Sequence, residues 1–196
     1  MDIFARNVPG TTAILQRKTV AVAGCGGLGS NAAVALARAG IGQLILIDGD
    51  TVSADNLNRQ HFFLDDIGQP KVDALAAHLH RIRPDLALSL WRRHIGPSDI
   101  ADLHPADLLL EAFDRAEAKR WLIETWCEAF PERWVIAASG LAGIGRTEAI
   151  TVRRSGRIIM CGDFASDMTG GLCAPRVAMV AAMQANLAVE CLLGKP

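Results

Sequence analysis

Gly24-Cys25-Gly26-Gly27-Leu28-Gly29 has the form G-x-G-x-x-G, and Asp48 stands nineteen residues after its last glycine. Glycines so spaced let the backbone turn tightly and approach a phosphate closely, while the free N–H groups of a helix starting there favour an anion. Asp48 is placed to accept hydrogen bonds from ribose hydroxyls. These features alone serve NAD and ATP equally. Charged residues further on separate the two: Asp50, then Asn56-Leu57-Asn58-Arg59-Gln60, then Gly68-Gln69-Pro70-Lys71, then Asp114. Lys71 follows Pro70 at a helix start, where a cation opposes the macrodipole by about 0.3–1 kcal/mol. A bound anion would reverse that penalty. Arg59 and Lys71 together suit a polyphosphate, and Asp114 suits a magnesium ion bridging phosphate oxygens. Singly, each has an ordinary alternative: Arg59 pairing with Asp55 or Asp65, Lys71 solvated on its helix, Asp114 capping the helix after it.

The elements that must position these groups alternate along the chain. Residues 18–24 (KTVAVAG) and 43–48 (QLILID) are short apolar runs, read as strands buried on both faces. Between them residues 29–40 form an alanine-rich helix closed by Gly40, so the opening unit is βαβ. A helix follows over 69–83, with Val72, Leu75, Leu79 and Ile82 on one stripe and Pro84 as its stop. Strands are expected at 86–91, 107–113 and 134–138, and helices at 117–130 and 175–193. Two Val-, Thr- and Ile-rich runs between 148 and 163 flank Arg154-Ser155-Gly156 and predict an antiparallel hairpin. The fold expected is α/β and Rossmann-like: a mostly parallel central sheet, helices on both faces and an antiparallel edge hairpin, in one domain over 1–196.

Composition excludes other classes. Twenty Lys and Arg balance 21 Asp and Glu in 196 residues, so no strong field invites nucleic acid or an anionic membrane. Apolar residues make up 51 %, enough for a packed core, and only 5 % are aromatic, so that core is aliphatic. Five cysteines, none in a C-x-x-C pair, suggest neither a disulfide framework nor a zinc site. The first ten residues hold no signal-type apolar run, and a cytoplasmic location is expected. Arg92-Arg93-His94 reads as a solvated strand end.

GCGGLGS at 24–30, DGDTV at 48–52, NLNRQ at 56–60, GQPK at 68–71 and Asp114 after the fourth strand occur in the order found in the ubiquitin-activating superfamily. The chain resembles its ThiF and MoeB type; EAFDRAE at 111–117 and LCAPRVAMVAAMQAN at 172–186 resemble the compact thiamine-biosynthesis branch, ThiF family 2. The resemblance implies ATP-dependent adenylation of the C-terminal glycine carboxylate of a small ubiquitin-like sulfur-carrier protein, with release of pyrophosphate. It implies that Gly24, Gly26, Gly27 and Gly29 shape the nucleotide loop and that Asp48 takes the ribose. Asp50, Asn56, Arg59, Gln60 and Lys71 would complete the ATP site, with Asp114 on Mg2+. Family members are commonly homodimers in which an N-terminal arginine reaches the neighbouring subunit's nucleotide. Arg6 is the candidate here. Some relatives use a cysteine in the loop over the active site, a place held by Cys161 or Cys173, and both are also readable as idle. Arg115 stands where many relatives have asparagine. Two other functions stay open: an NAD(P)-dependent oxidoreductase, and a nucleotide-binding scaffold without catalysis.

Overall fold

The computed structural model describes residues 3–195. Seven strands make one sheet: β1 (Thr19–Ala23), β2 (Gln43–Ile47), β3 (Ala87–Trp91), β4 (Leu108–Glu111), β5 (Trp134–Ala138), β6 (Thr151–Ser155) and β7 (Ile158–Gly162). Their order is β3-β2-β1-β4-β5-β7-β6, with every pair parallel except β6 with β7. The α/β architecture and the antiparallel edge hairpin expected from the sequence are both present. Five α-helices, α1 (Thr11–Leu15), α2 (Gly27–Ala39), α3 (Lys71–Ile82), α4 (Ala116–Ala129) and α5 (Ala174–Leu192), cover the faces.

Alternation along the strands sends their side chains to two cores. Val20, Val22, Leu44, Leu46, Leu108 and Leu110 face α2, α3 and α5. Ala21, Ala23, Ile45, Ile47 and Leu109 face Leu122 and Trp126 of α4 and Ile100 and Leu103 of a 3-10 turn. Both faces are covered, which is why these strands read as continuous apolar runs rather than alternating ones. α2 ends on Gly40 in the left-handed region (φ 103°), whose N–H reaches the Leu36 and Ala37 carbonyls. Among the boundaries that differ from the sequence expectation, two bear on the site. α2 begins at Gly27, so three glycines of the motif form its cap and first turn, and Pro70 precedes α3 as its N-cap instead of lying inside it. Helix α1 has too short a repeat to stand out in the sequence.

The register positions the chemistry. Ala23 lies opposite Ile47 on one side and Glu111 on the other, so the chain leaves β1, β2 and β4 at the same edge. Since β1 is flanked by β2 and β4, this edge is the point where strand order reverses, the place where open α/β sheets bind ligands. At the far margin, all five residues of β6 are exposed. Arg154 pairs with Glu190 of α5 at 3.0 Å, and the Arg153 guanidinium lies 3.8 Å above the Phe164 ring. No helix among the described residues is long and apolar enough to cross a membrane.

Candidate active site

A cavity of about 530 Å3 opens at the strand-order reversal. Its floor is packed backbone against backbone. A Cβ on Gly24, whose φ is +96°, would lie 2.7 Å from the Ala112 carbonyl oxygen, and one on Gly29 would lie 1.7 Å from the Gly24 oxygen. Gly24 and Gly29 are therefore fixed by packing. Gly26 differs, since its φ is ordinary and a Cβ there would meet only the Gln60 side chain, at 3.7 Å. Gly26 caps α2 with no side-chain hydrogen bond, leaving the first-turn N–H groups to the cavity. Asp48 accepts the Cys25 N–H at 2.7 Å on one carboxylate oxygen and the Asp50 N–H at 2.8 Å on the other. Both bonds fix its orientation and leave lone pairs for a ligand's hydroxyls.

The cavity gathers Gly24, Gly26, Gly27, Asp48, Asp50, Arg59, Gln60, Lys71 and Asp114 on its wall. Gly29 and Asn56 are not on it. Gly29 sits beneath, and Asn56 is turned into its own 3-10 turn, with its Oδ1 taking the Ser53 N–H at 3.4 Å. Arg6 is exposed and outside the cavity. Lys71 is partnered within the chain and is not solvated on its helix: its buried ammonium meets Asp50 Oδ2 at 2.8 Å, and its backbone N–H meets the Asp50 carbonyl at 2.9 Å. Arg59 pairs with neither Asp55 nor Asp65 through their carboxylates. Its guanidinium donates to the Asp55 carbonyl at 2.9 Å and to Asn58 Oδ1 at 2.7 Å. Asp114 does not cap α4, whose N-cap is Arg115. It stands exposed at the cavity wall with no hydrogen-bond or ion-pair partner among the described residues. Cys161 is not accessible as a nucleophile. It is wholly buried, its thiol directed at the Ala137 and Val180 carbonyls, and burial pushes its pKa up to about 12. Cys25 is likewise buried, with burial and the nearby Asp48 charge raising its thiol well above the usual range.

Several wall residues carried no legible sequence signal. Arg93 and His94 line the cavity because β3 lies beside β2, so the strand end read as merely solvated reaches the site; Arg93 pairs with Asp99 at 2.6 Å, and His94 lies 3.7 Å from Asp50. Ile47, Ile95, Phe113 and Trp121 give the cavity an apolar side. Below them Glu111, with no exposure at all, accepts the Lys119 ammonium at 2.8 Å and the Phe113 N–H at 2.7 Å. Burial nevertheless raises its carboxyl pKa, against the opposing pull of Lys119 and Phe113. Gln184 of α5 donates to the Glu111 carbonyl at 2.9 Å, joining the far helix to this turn.

The ThiF family model matches residues 5–196. The chain belongs to the ThiF family. Among its relatives, ubiquitin-like modifier-activating enzyme 5 of Bombyx mori is 38 % identical over 132 residues, which cover 61 % of this chain and 33 % of that protein. The tRNA threonylcarbamoyladenosine dehydratase of Bacillus subtilis (strain 168) is 51 % identical over 72 residues, 36 % of this chain and 28 % of that one. The chain thus spans about a third or less of these relatives in the matched regions. In fold it is similar to the E. coli tRNA N6-threonylcarbamoyladenosine dehydratase solved with ATP, with a TM-score of 0.85 at 22 % identity. That match covers 95 % of this chain and 90 % of the other. E. coli MccB solved with ATP gives a TM-score of 0.74 at 24 % identity, over 95 % and 58 % of the two chains.

Proposed function

We propose that this ThiF-family protein is an ATP-dependent adenylyltransferase that activates a carboxylate. The acceptor is the C-terminal glycine of a small ubiquitin-like sulfur-carrier protein, of the thiamine-pathway type that the sequence resemblance implies. In the reaction, a carboxylate oxygen forms a bond to the α-phosphorus of ATP, the bond to the β-phosphate bridging oxygen breaks, and pyrophosphate leaves with the electron pair. The observation that carries this reading is the convergence of Asp48, Arg59, Lys71 and Asp114 on one cavity together with the open N–H groups of α2. A redox dinucleotide site would use the glycines and Asp48 but leave the other three without a shared purpose.

The residues present fit ATP. The cavity volume lies within the range of small-molecule sites. Gln60 Oε1 is buried on its wall with no hydrogen-bond partner among the described residues. The apolar side formed by Ile47, Ile95 and Phe113 suits a flat base, and Asp48 suits the ribose. Arg59 and Lys71 oppose the charge that two anions bring together, and they supply it from fixed positions, so little reorganisation accompanies the reaction. No general base is needed, because a carboxylate is already ionised at neutral pH. Asp114 fits magnesium: no cluster of three His, Cys, Asp or Glu among the described residues forms a cage, but one free carboxylate beside phosphates is how this ion is commonly held. When bound, magnesium would neutralise phosphate charge. A second copy supplying Arg6 would add a further cation, in a homodimer.

The stretch 51 % identical to a tRNA threonylcarbamoyladenosine dehydratase favours a second reading, in which the activated carboxylate is borne by a tRNA nucleoside. Exchange of labelled pyrophosphate into ATP, run with a panel of glycine-tailed carriers and with threonylcarbamoyladenosine-containing tRNA, distinguishes the two acceptors. We expect exchange with a carrier. Exchange with neither, or tight NAD binding without ATP binding, overturns the adenylation reading. Lys71→Ala is expected to weaken ATP binding about 10- to 100-fold while leaving adenosine binding nearly unchanged, as loss of a charge-assisted phosphate contact requires. Isothermal titration with both ligands measures the difference, and equal losses contradict the role.

A further inference from the structure

Two further loops, called the mouth loops, residues 140–146 after β5 and residues 163–172 after β7, contribute Leu141 and Leu172 to the cavity lining. They are bound to each other where the Gly143 N–H meets the Gly171 carbonyl at 2.8 Å and the Ala142 N–H meets Ser166 Oγ at 3.1 Å. Both loops also end on one side chain. Arg176, in the first turn of α5 and 4 % exposed, donates through Nη1 to the Gly145 carbonyl and through Nη2 to Asp163 Oδ2. Asp163 in turn orients its own loop, its Oδ1 accepting the N–H groups of Ala165 at 2.9 Å and Ser166 at 2.8 Å and the Ser166 hydroxyl at 3.0 Å.

The backbone is strained beside both atoms that Arg176 holds. Among the described residues only two non-glycines have positive φ, Arg146 at 50° and Phe164 at 58°. Arg146 adjoins Gly145, and Phe164 adjoins Asp163. Such conformations persist where surrounding contacts over-determine them. The residue after Arg176 is Val177, which touches the nucleotide loop: its Cγ1 lies 3.0 Å from where a Gly27 Cβ would be. Val177 thus lies beside the nucleotide loop, while the contacts of Arg176 itself are with the two mouth loops alone.

We propose that Arg176, through Gly145 and Asp163, is a positioning residue that holds the two strained loops as an apolar mouth between Leu141 and Leu172, and so governs entry of the carboxylate acceptor and not of ATP. The identity of the acceptor rests on the adenylation reading above; the clamp itself does not.

Arg176→Lys and Asp163→Asn test the clamp. Lysine keeps the charge but offers one nitrogen in place of a fork that spans two loops; asparagine keeps the Oδ1 acceptor. Hydrogen exchange of the full chain is expected to speed at the Gly143 amide by about tenfold or more in Arg176→Lys, with the β1 and β4 amides unchanged. ATP affinity stays within about twofold of wild type, and the KM for whichever acceptor supports exchange rises about tenfold with little change in kcat. Unchanged exchange at Gly143 overturns the clamp whatever the acceptor proves to be, as does an equal loss of ATP binding. Should Arg176→Lys fail to fold, Asp163→Asn carries the same readouts. Wild-type protein inert with every acceptor removes the adenylation reading instead, and the clamp is then decided by the Gly143 exchange and the ATP affinity.

Discussion

The floor and the mouth of the cavity are each built around a buried carboxylate paired with a cation, yet the two carboxylates are driven in opposite directions. On the floor, Glu111 has one ammonium and one N–H, and burial still raises its pKa. At the mouth, burial pushes Asp163 the same way. There, however, the Ser166 and Ala165 N–H groups, the Ser166 hydroxyl and the Arg176 guanidinium outweigh it and hold the carboxyl far below the usual range. The ion pair is common to both sites. Complete burial of Glu111 against the partial exposure of Asp163, together with the further hydrogen bonds to the Asp163 anion, decides the outcome. The floor is accordingly stabilised by packed strand ends and tolerates a marginal charge, whereas the mouth, made of loops, is held by polar contacts.

The largest effect expected is on the floor's packing. Gly29→Ala places a methyl group inside the Gly24 carbonyl, and we expect loss of folding or a destabilisation above about 4 kcal/mol, the range of severe core disruption. A melting temperature close to wild type would show the floor to be pliable. Lys119→Met comes next, leaving Glu111 buried and unpaired at a cost of about 3–5 kcal/mol near neutral pH. Because Glu111 titrates above its unfolded value of about 4.3, the native state holds the extra proton, so its contribution to stability falls as pH rises through that interval. Removing Lys119 pushes the carboxyl further up, and denaturant unfolding is expected to show a smaller deficit at pH 5 than at pH 8. A uniform deficit would contradict the assignment.

Asp163→Asn has the opposite sign and a smaller size. The depressed carboxyl contributes stability that is complete above its unfolded value of about 3.9 and is lost progressively as pH falls from there through the folded one. The substitution is expected to cost about 1–3 kcal/mol at pH 7, as for loss of a hydrogen-bonded charged partner, and to flatten the acid limb of the stability curve below pH 4. An unchanged acid limb would remove Asp163 from the comparison. Gly26→Ala is expected to change stability least, within about 0.5 kcal/mol, since its methyl meets no backbone. Its effect falls on ATP affinity, measured by titration, and an unaltered affinity would place the phosphates elsewhere.

The floor was largely legible in the sequence and the mouth was not. Glycines at a strand-to-helix turn, an acid at the next strand's end and Lys71 after Pro70 are local patterns whose spacing the backbone enforces, and the parallel register then brings 24, 48 and 112 to one edge. Asn56 and Gly29 show the limit of this, since motif membership does not tell which side chains face a cavity and which hold the motif together. The Arg93 and His94 positions depend on β3 lying beside β2, a pairing across 44 residues of sequence that local pattern does not announce. Arg176 could have been singled out as the one cation of a largely apolar helix, but its two partners lie 13 and 31 residues earlier in irregular loops, where no periodicity operates.

The arginines of β6 have a bearing on how this protein behaves in concentrated solution. The outer side of that strand presents a row of unpaired backbone donors and acceptors, a template onto which another extended chain could add. Bulky cations at Arg153 and Arg154, tethered to Phe164 and Glu190, charge that margin and obstruct stacking of one sheet on the next. Replacing them with threonine or valine would turn the margin into an invitation to fibrous assembly, with the cavity at the carboxyl ends of distant strands left intact.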